Sequence, residues 1–325
     1  MAGLKYDIPV ISQYSTDIYQ YVDYYPASQK VILAFPIAAP IVLKGRLKSW
    51  GRAFIEIPED GRFKTWVKRL TAEYITSIHD RCDAVIVLSK KHQKQLTNWH
   101  TKSELVLMPT GVDPLAKPSN ADISEFKQRY NIDSNDKVIL YAGRISKEKN
   151  LDLLLESFSG FIAPKYKDIK LMFAGDFDYR EELEQKAKLY NLRDRIIFTG
   201  HYERSHAGVI YASADIFAFP SLTDTQGLVL HEAAGAGLPL VLCDKNVSEI
   251  FHNDKNGLLA ENDPEDFANK IVQILTDKNL RSKMSTSSIE FATGYTESKQ
   301  IEDLEKLYIR LSSNHKHIKF AGSVW

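Results

Sequence analysis

Asp224 and Glu232 stand eight positions apart in SLTDTQGLVLHEAAGAGLPLVL (221–242), with Gly227 between them and an apolar, small-residue run after it. A glycine ahead of such a run marks a helix start, where the first backbone N–H groups have no partner within the helix. Gly227, Leu228 and Val229 therefore offer donors, helped by the helix dipole, to an anion such as phosphate. Asp224, ahead of the helix, can accept from sugar hydroxyls, and Glu232, between one and two turns in, can reach a ribose diol. Acidic residues beside a helix start also act as caps. Capping alone accounts for neither the glycine, nor the carboxylate spacing, nor the run AAGAG. His231, between Leu230 and Glu232, reads as a core or supporting residue rather than a metal ligand.

A second constellation is YAGRISKEKN (141–150). An apolar strand ends at Gly143, and Arg144 and Lys149 follow before a helix that should begin near Asn150. Ligands of open α/β sheets sit beyond the carboxyl ends of strands. A planar, two-pronged guanidinium and a mobile ammonium there suit a diphosphate. The alternative is a solvated loop, since Lys147, Glu148 and Lys149 also form an ordinary charge run.

The elements that must position these residues follow the pattern of parallel strands joined by helices. Expected strands are 84–88, 104–108, 137–142, 169–174, 195–199, 215–219 and 238–243, with amphipathic helical stretches at 150–162, 179–190 and 297–312. Near-continuous apolar strands imply sheets covered on both faces, so the fold class is α/β and doubly wound. PLAKPSNADIS (114–124) reads as a boundary ahead of a new helix. Expected domains are 1–115, joined by a terminal helix in 297–325 that packs back on it, and 116–296. At 325 residues and 44% hydrophobic content there is material for two cores. Lysine plus arginine equal aspartate plus glutamate, 42 against 42, which gives no global field for nucleic acid. Cys82 and Cys243 match no zinc spacing; as unpaired thiols they suit a reducing cytosol, and they read as small core residues.

Residues 137–260 resemble the carboxyl-terminal domain of GT-B retaining glycosyltransferases of the glycogen-synthase-like (group 1) family. The landmarks occur in order: YAGRISKEKN, LMFAGDFD (171–178), RIIFTG (195–200), ASADIFAFPS (212–221), the Asp224 to Glu232 block and NGLLAENDPEDFA (256–268). The resemblance implies two Rossmann-like domains and transfer from a nucleotide sugar with retention at the anomeric carbon, without an obligatory metal. It gives Arg144 and Lys149 to the donor diphosphate, Glu232 to the ribose and Asp224 to the transferred sugar. Asp224 is shorter than the glutamate usual in the family. No aspartate-rich metal motif stands out, and the two cations with the helix start can stabilise a departing diphosphate. No cofactor is expected.

The amino-terminal part resembles the family less fully. DIPVISQYSTDIYQYVDYY (7–25), HDRCDAVIVLSKKHQKQL (79–96), ELVLMPTGVD (104–113) and TDTQGLV (223–229) look like the branch that includes bacterial diacylglycerol and glycolipid glucosyltransferases. Ser15 stands where the family has its active-site histidine, and the family's first strands and glycine-rich loop have no counterpart before residue 7. The first domain is therefore expected to be incomplete, and a second glycosyltransferase subunit is an expected partner. Residues 41–70 carry a local excess of five positive charges, with Trp50 and Trp66 among Lys44, Arg46, Lys48 and Arg62. Such a segment suits an anionic membrane surface or single-stranded nucleic acid, or is a solvated face with inward aromatics; the resemblance favours lipid.

The expected activity is transfer of a sugar, with glucose from UDP-glucose as the leading candidate, to a lipid or glycolipid acceptor. The expected place is cytoplasmic, peripheral on the inner face of the membrane. Val31–Leu43, the most apolar run, is shorter than the roughly 20 residues a spanning helix needs. The rival reading is a non-catalytic nucleotide-sugar-binding subunit that supports a partner chain. A nicotinamide oxidoreductase is disfavoured because no G-x-G-x-x-G follows a strand.

Overall fold

The computed structural model describes residues 9–15 and 62–314. In chain order the elements are β1 (Ile11–Tyr14), α1 (Arg62–His79), β2 (Ala84–Val87), α2 (Lys90–Asn98), β3 (Glu104–Leu107), α3 (Asn120–Arg129), β4 (Lys137–Ala142) and α4 (Leu151–Ser157). They continue with β5 (Ile169–Ala174), α5 (Arg180–Leu189), β6 (Ile196–Gly200), α6 (Arg204–Ala212), β7 (Ile216–Phe219) and α7 (Leu228–Gly235). The last are β8 (Leu240–Leu242), β9 (Gly257–Leu259), α8 (Pro264–Thr276), α9 (Lys278–Ala292) and α10 (Glu297–Asn314). Two compact units divide between Pro109 and Thr110 and again between Glu297 and Ser298.

The described part of the first unit is a parallel sheet in the order β1-β2-β3. Alternation along β2 covers both faces, as a parallel sheet requires. Val85 and Val87 bury against Ala72, Ile75, Leu96 and Trp99 of α1 and α2, with Tyr14 among them. Ala84, Ile86 and Leu88 bury against Leu307 and Leu311 of α10. Arg310 on α10 holds both carboxylate oxygens of Glu104, at 2.9 and 2.6 Å.

The second unit is a six-stranded, wholly parallel sheet in the order β6-β5-β4-β7-β8-β9. Every residue of β5, β7 and β8 is buried, which is why these strands read as unbroken apolar runs. The order in which successive strands are added reverses between β4 and β7, the switch point beside which open α/β sheets open a crevice at their carboxyl edge.

Two expectations need correction, and one that holds gains detail. Residues 114–124 are not all linker: α3 starts at Asn120, because Ser119 and Asp122 form a reciprocal capping box. The helix expected near Asn150 is preceded by a 3-10 turn at Lys147–Lys149, and Asn150 sits in left-handed backbone at φ 58°, a conformation asparagine tolerates. Cys82 and Cys243 are free thiols, as expected, but half-buried rather than core; burial and nearby carboxylates push the Cys243 thiol up to about 12. Residues 7–8, 16–25 and 41–61 lie outside the described residues, and with them most of the tyrosine-rich and basic, aromatic stretches. Within α1, Lys68 is buried and Arg69 exposed.

Candidate functional site

Three neighbouring strands bring the site together at their carboxyl ends, each ending at a glycine with positive φ: Gly143 (136°), Gly175 (140°) and Gly200 (76°). Gly175 has no alternative, because a Cβ there would stand 1.9 Å from the carbonyl oxygen of Gly143. This close approach lets the loops after β4, β5 and β6 converge on a cleft of ≈ 320 Å³. Gly143 and Arg144 line it from β4, Gly175 and Asp176 from β5, and His201, Tyr202, Arg204 and Ala207 from β6 and α6. Val229 and Glu232 of α7 complete the wall.

Arg144 is about half exposed, its guanidinium carbon 5.2 Å from the ring centre of Phe177 and one nitrogen 3.5 Å from buried Glu148. Glu148 also accepts from Ser146 Oγ at 2.7 Å. Glu232 has its two oxygens held differently. Oε2 accepts from the buried Tyr211 hydroxyl at 2.8 Å, and Oε1 is 3.0 Å from Arg204. Burial, with the Glu232 charge beside it, raises Tyr202 to about 12.

Lys149 and Asp224 form a neighbouring pair. Lys149 Nζ donates to Asp224 Oδ1 at 2.8 Å, while Asp224 Oδ2 is buried and accepts no hydrogen bond. Two further bonds tie the loop after β4 to the loop after β7: Thr223 Oγ1 to the Glu148 carbonyl at 3.0 Å, and Asn150 Nδ2 to the Pro220 carbonyl at 3.2 Å. Tyr141, at the end of β4, connects the groups. Its hydroxyl donates to the Arg144 carbonyl at 2.9 Å, and burial, reinforced by Asp224 and Glu148, raises it well above the usual phenol range.

Gly227 caps α7 in left-handed backbone at φ 65°. As the cap and first residues of α7, Gly227, Leu228 and Val229 have no N–H partner inside that helix. Leu228 is exposed and Val229 faces the cleft. The residues on either side of the Gly227 turn are anchored. Gln226 exchanges two 2.9 Å hydrogen bonds with the backbone of Thr110. His231 Nε2 lies 2.9 Å from Ser248 Oγ, and burial lowers the imidazole to about 4. Thr110 opens a strapped segment in which Val112 N–H donates to the Tyr295 carbonyl at 2.8 Å.

The cleft thus gathers Arg144, Val229 and Glu232. Lys149 and Asp224 are paired beside it and do not line it. Ser15 follows β1 in the first unit, exposed. Sequence reasoning missed Asp176, His201, Tyr202 and Arg204. The signal was available, since they directly follow β5 and β6 and the strand-end rule that picked out Arg144 applies to all three strands. Among the described residues no cluster of three metal-ligating side chains occurs.

The family model for glycosyl transferases group 1 matches residues 122–291, more than half of the chain. The chain belongs to the group 1 glycosyltransferases. Two relatives of this glycosyltransferase are alpha-monoglucosyldiacylglycerol synthases. The one from Streptococcus pneumoniae is 32% identical over 50% of this chain and 38% of its own length. The one from Acholeplasma laidlawii is 25% identical over 77% and 64%. The chain therefore spans less than two thirds of the length of either. Among solved structures, Anabaena HepE in complex with UDP and glucose has a TM-score of 0.68 at 17% identity, covering 96% of this chain and 73% of that one. Sucrose-phosphate synthase from Thermosynechococcus elongatus has 0.66 at 23%, covering 76% and 62%. The fold of this group 1 glycosyltransferase is GT-B.

Proposed function

We propose that the cleft beyond β4, β5 and β6 binds a UDP-sugar, and that the protein transfers the sugar, glucose in the leading case, with retention to a lipid or glycolipid acceptor. The observation that carries this reading is the convergence of a cation, Arg144, a carboxylate, Glu232, and the start of α7 on one cleft at the sheet's switch point. Diphosphate binding by Arg144 and the Gly227–Val229 donors satisfies an anion without a metal. An ammonium has three donors. Lys149 spends one on Asp224 and keeps others for a phosphate oxygen, so it joins the two halves of the donor. Asp224 Oδ2, buried and without a donor, is a vacant acceptor that a sugar hydroxyl would satisfy, and an unsatisfied buried acceptor costs about 1–3 kcal/mol. Glu232 takes the ribose.

The lipid acceptor draws support from the two synthases and from the basic, aromatic composition of residues 41–70, which also suits peripheral attachment to an anionic membrane. No described helix is long and apolar enough to cross one. Ser15, a second glycosyltransferase subunit and a place on the inner face remain part of the proposal as expected from sequence.

Calorimetry with UDP should show binding that Arg144→Ala weakens by roughly 2–5 kcal/mol. Incubation with a panel of UDP-sugars and diacylglycerol or glycolipid acceptors, with NMR of the product's anomeric centre, tests the chemistry. Equal affinity in the variant removes Arg144 from the site, and an inverted anomeric centre overturns retention.

A further inference from the structure

The two carboxylate oxygens of Glu232, in the wall of the cleft, are held by different partners. Oε2 points at Tyr211, fully buried on α6 with its ring stacked on Phe217 at 5.9 Å. Tyr202, which lines the cleft, lies beside the Tyr211 hydroxyl. Among the described residues Oε1 meets only Arg204, and that guanidinium is 62% exposed while the carboxylate is 13% exposed. A ligand entering the cleft can therefore reach Oε1 by displacing or sharing a solvent-side cation, whereas Oε2 is turned onto buried protein.

We propose that Tyr211 is a positioning residue that fixes Glu232 for a ribose diol, and that Arg204 is an exchangeable stand-in for that diol on Oε1. The inference rests on the nucleotide reading of the cleft. Its physical basis is that a carboxylate discriminates between a diol and a single hydroxyl only while its oxygens are held still. Loss of the Tyr211 bond frees the Glu232 carboxylate to rotate onto whichever donor is present, including Arg204. Selection for the 2′-hydroxyl then falls even though the carboxylate is retained. Arg204 acts in the opposite sense on a neutral nucleoside: its ion pair must be given up for the diol, with no phosphate to compensate.

The test is calorimetric binding of UDP, 2′-deoxy-UDP and uridine to the full chain and its variants. The wild type should prefer UDP over 2′-deoxy-UDP by roughly ten- to a hundredfold, the range of a hydrogen bond to a charged group. Tyr211→Phe should bring that ratio to within about threefold, with 2′-deoxy-UDP affinity little changed. A role confined to packing would weaken both nucleotides alike and leave the ratio intact. Tyr202→Phe, which leaves the Tyr211 bond to Glu232 in place, should keep the wild-type ratio, and Tyr211→Met carries the test if Tyr211→Phe does not fold. Arg204→Ala should bind uridine severalfold more tightly, and Arg204→Lys should behave as wild type. A wild type that binds UDP selectively, with the same ratio in Tyr211→Phe, overturns the positioning role. Unchanged uridine affinity in Arg204→Ala overturns the stand-in role. A wild type that binds none of the three overturns the nucleotide reading instead, a result readily told apart from the other two.

Discussion

Lys149 and Asp224 are 11% and 18% exposed and hold each other at 2.8 Å, so each depends on the other for having left water. Removing one partner of such a pair strands the other charge. Lys149→Ala should therefore destabilise the fold by about 3 kcal/mol in urea unfolding, and Lys149→Met with Asp224→Leu should recover most of that loss. A loss no greater than that of an exposed pair would show Asp224 to be well solvated. Pairing of this sort was not legible in the sequence. Residue type and strand-end position marked both groups as candidates, but the fact that they meet depends on the β4 and β7 loops lying side by side. His231 was legible as a supporting residue from its apolar neighbours, and its environment has a pH consequence. Burial lowers it from 6.5 to about 4, so the unfolded chain binds the proton more readily. The stability held by the neutral ring is fully present above pH 6.5 and is lost as pH falls toward 4, to a total of about 3 kcal/mol. Unfolding midpoints of wild type and His231→Gln should show a stability difference that is constant above pH 7 and shrinks across that window. Parallel curves throughout would mean that the imidazole titrates normally.

At the level of elements, the closest tolerance in the site lies at the ends of β4 and β5. Gly175→Ala requires a Cβ inside the Gly143 carbonyl and a side chain at φ 140°, so one of the two loops must move. Strain of this kind costs of order 1–3 kcal/mol, and UDP binding should fall with it because Arg144 and Asp176 sit on the displaced loops. Normal stability with normal binding would show the approach to be adjustable. The long buried strands were plain in the sequence: β4 and β5 fall on the residues expected, since unbroken apolar runs bounded by charge have few other fates. Short elements were not. β9 has three residues, too few for a periodicity. The helix at α3 was hidden inside a stretch rich in proline and small polar residues, where the same serine and aspartate that suggest a loop form a cap.

Over the whole molecule, the family landmarks located the second sheet, but its strand order is set by which strands pair and by no single motif. The first sheet was harder to read, because β1 has four residues and its helical cover comes from the far end of the sequence. Thr110–Glu297 begins and ends in segments strapped to each other by Val112 and Tyr295 and by Glu297 N–H donating to Asp113 at 3.2 Å. Expressed alone, that span should unfold in one cooperative transition and bind UDP as the full chain does, as circular dichroism and calorimetry would show. A non-cooperative melt would mean that it needs the rest of the chain. The first unit, in contrast, is discontinuous in sequence: Leu307 and Leu311 cover Ala84, Ile86 and Leu88. On the ribosome those strand residues emerge well before α10. At ~5–20 residues per second, synthesis of the intervening stretch takes roughly 10–40 s. Through that interval Ala84, Ile86 and Leu88 lack the leucines of α10 that bury them, which makes that face a natural place for a chaperone to hold the growing chain.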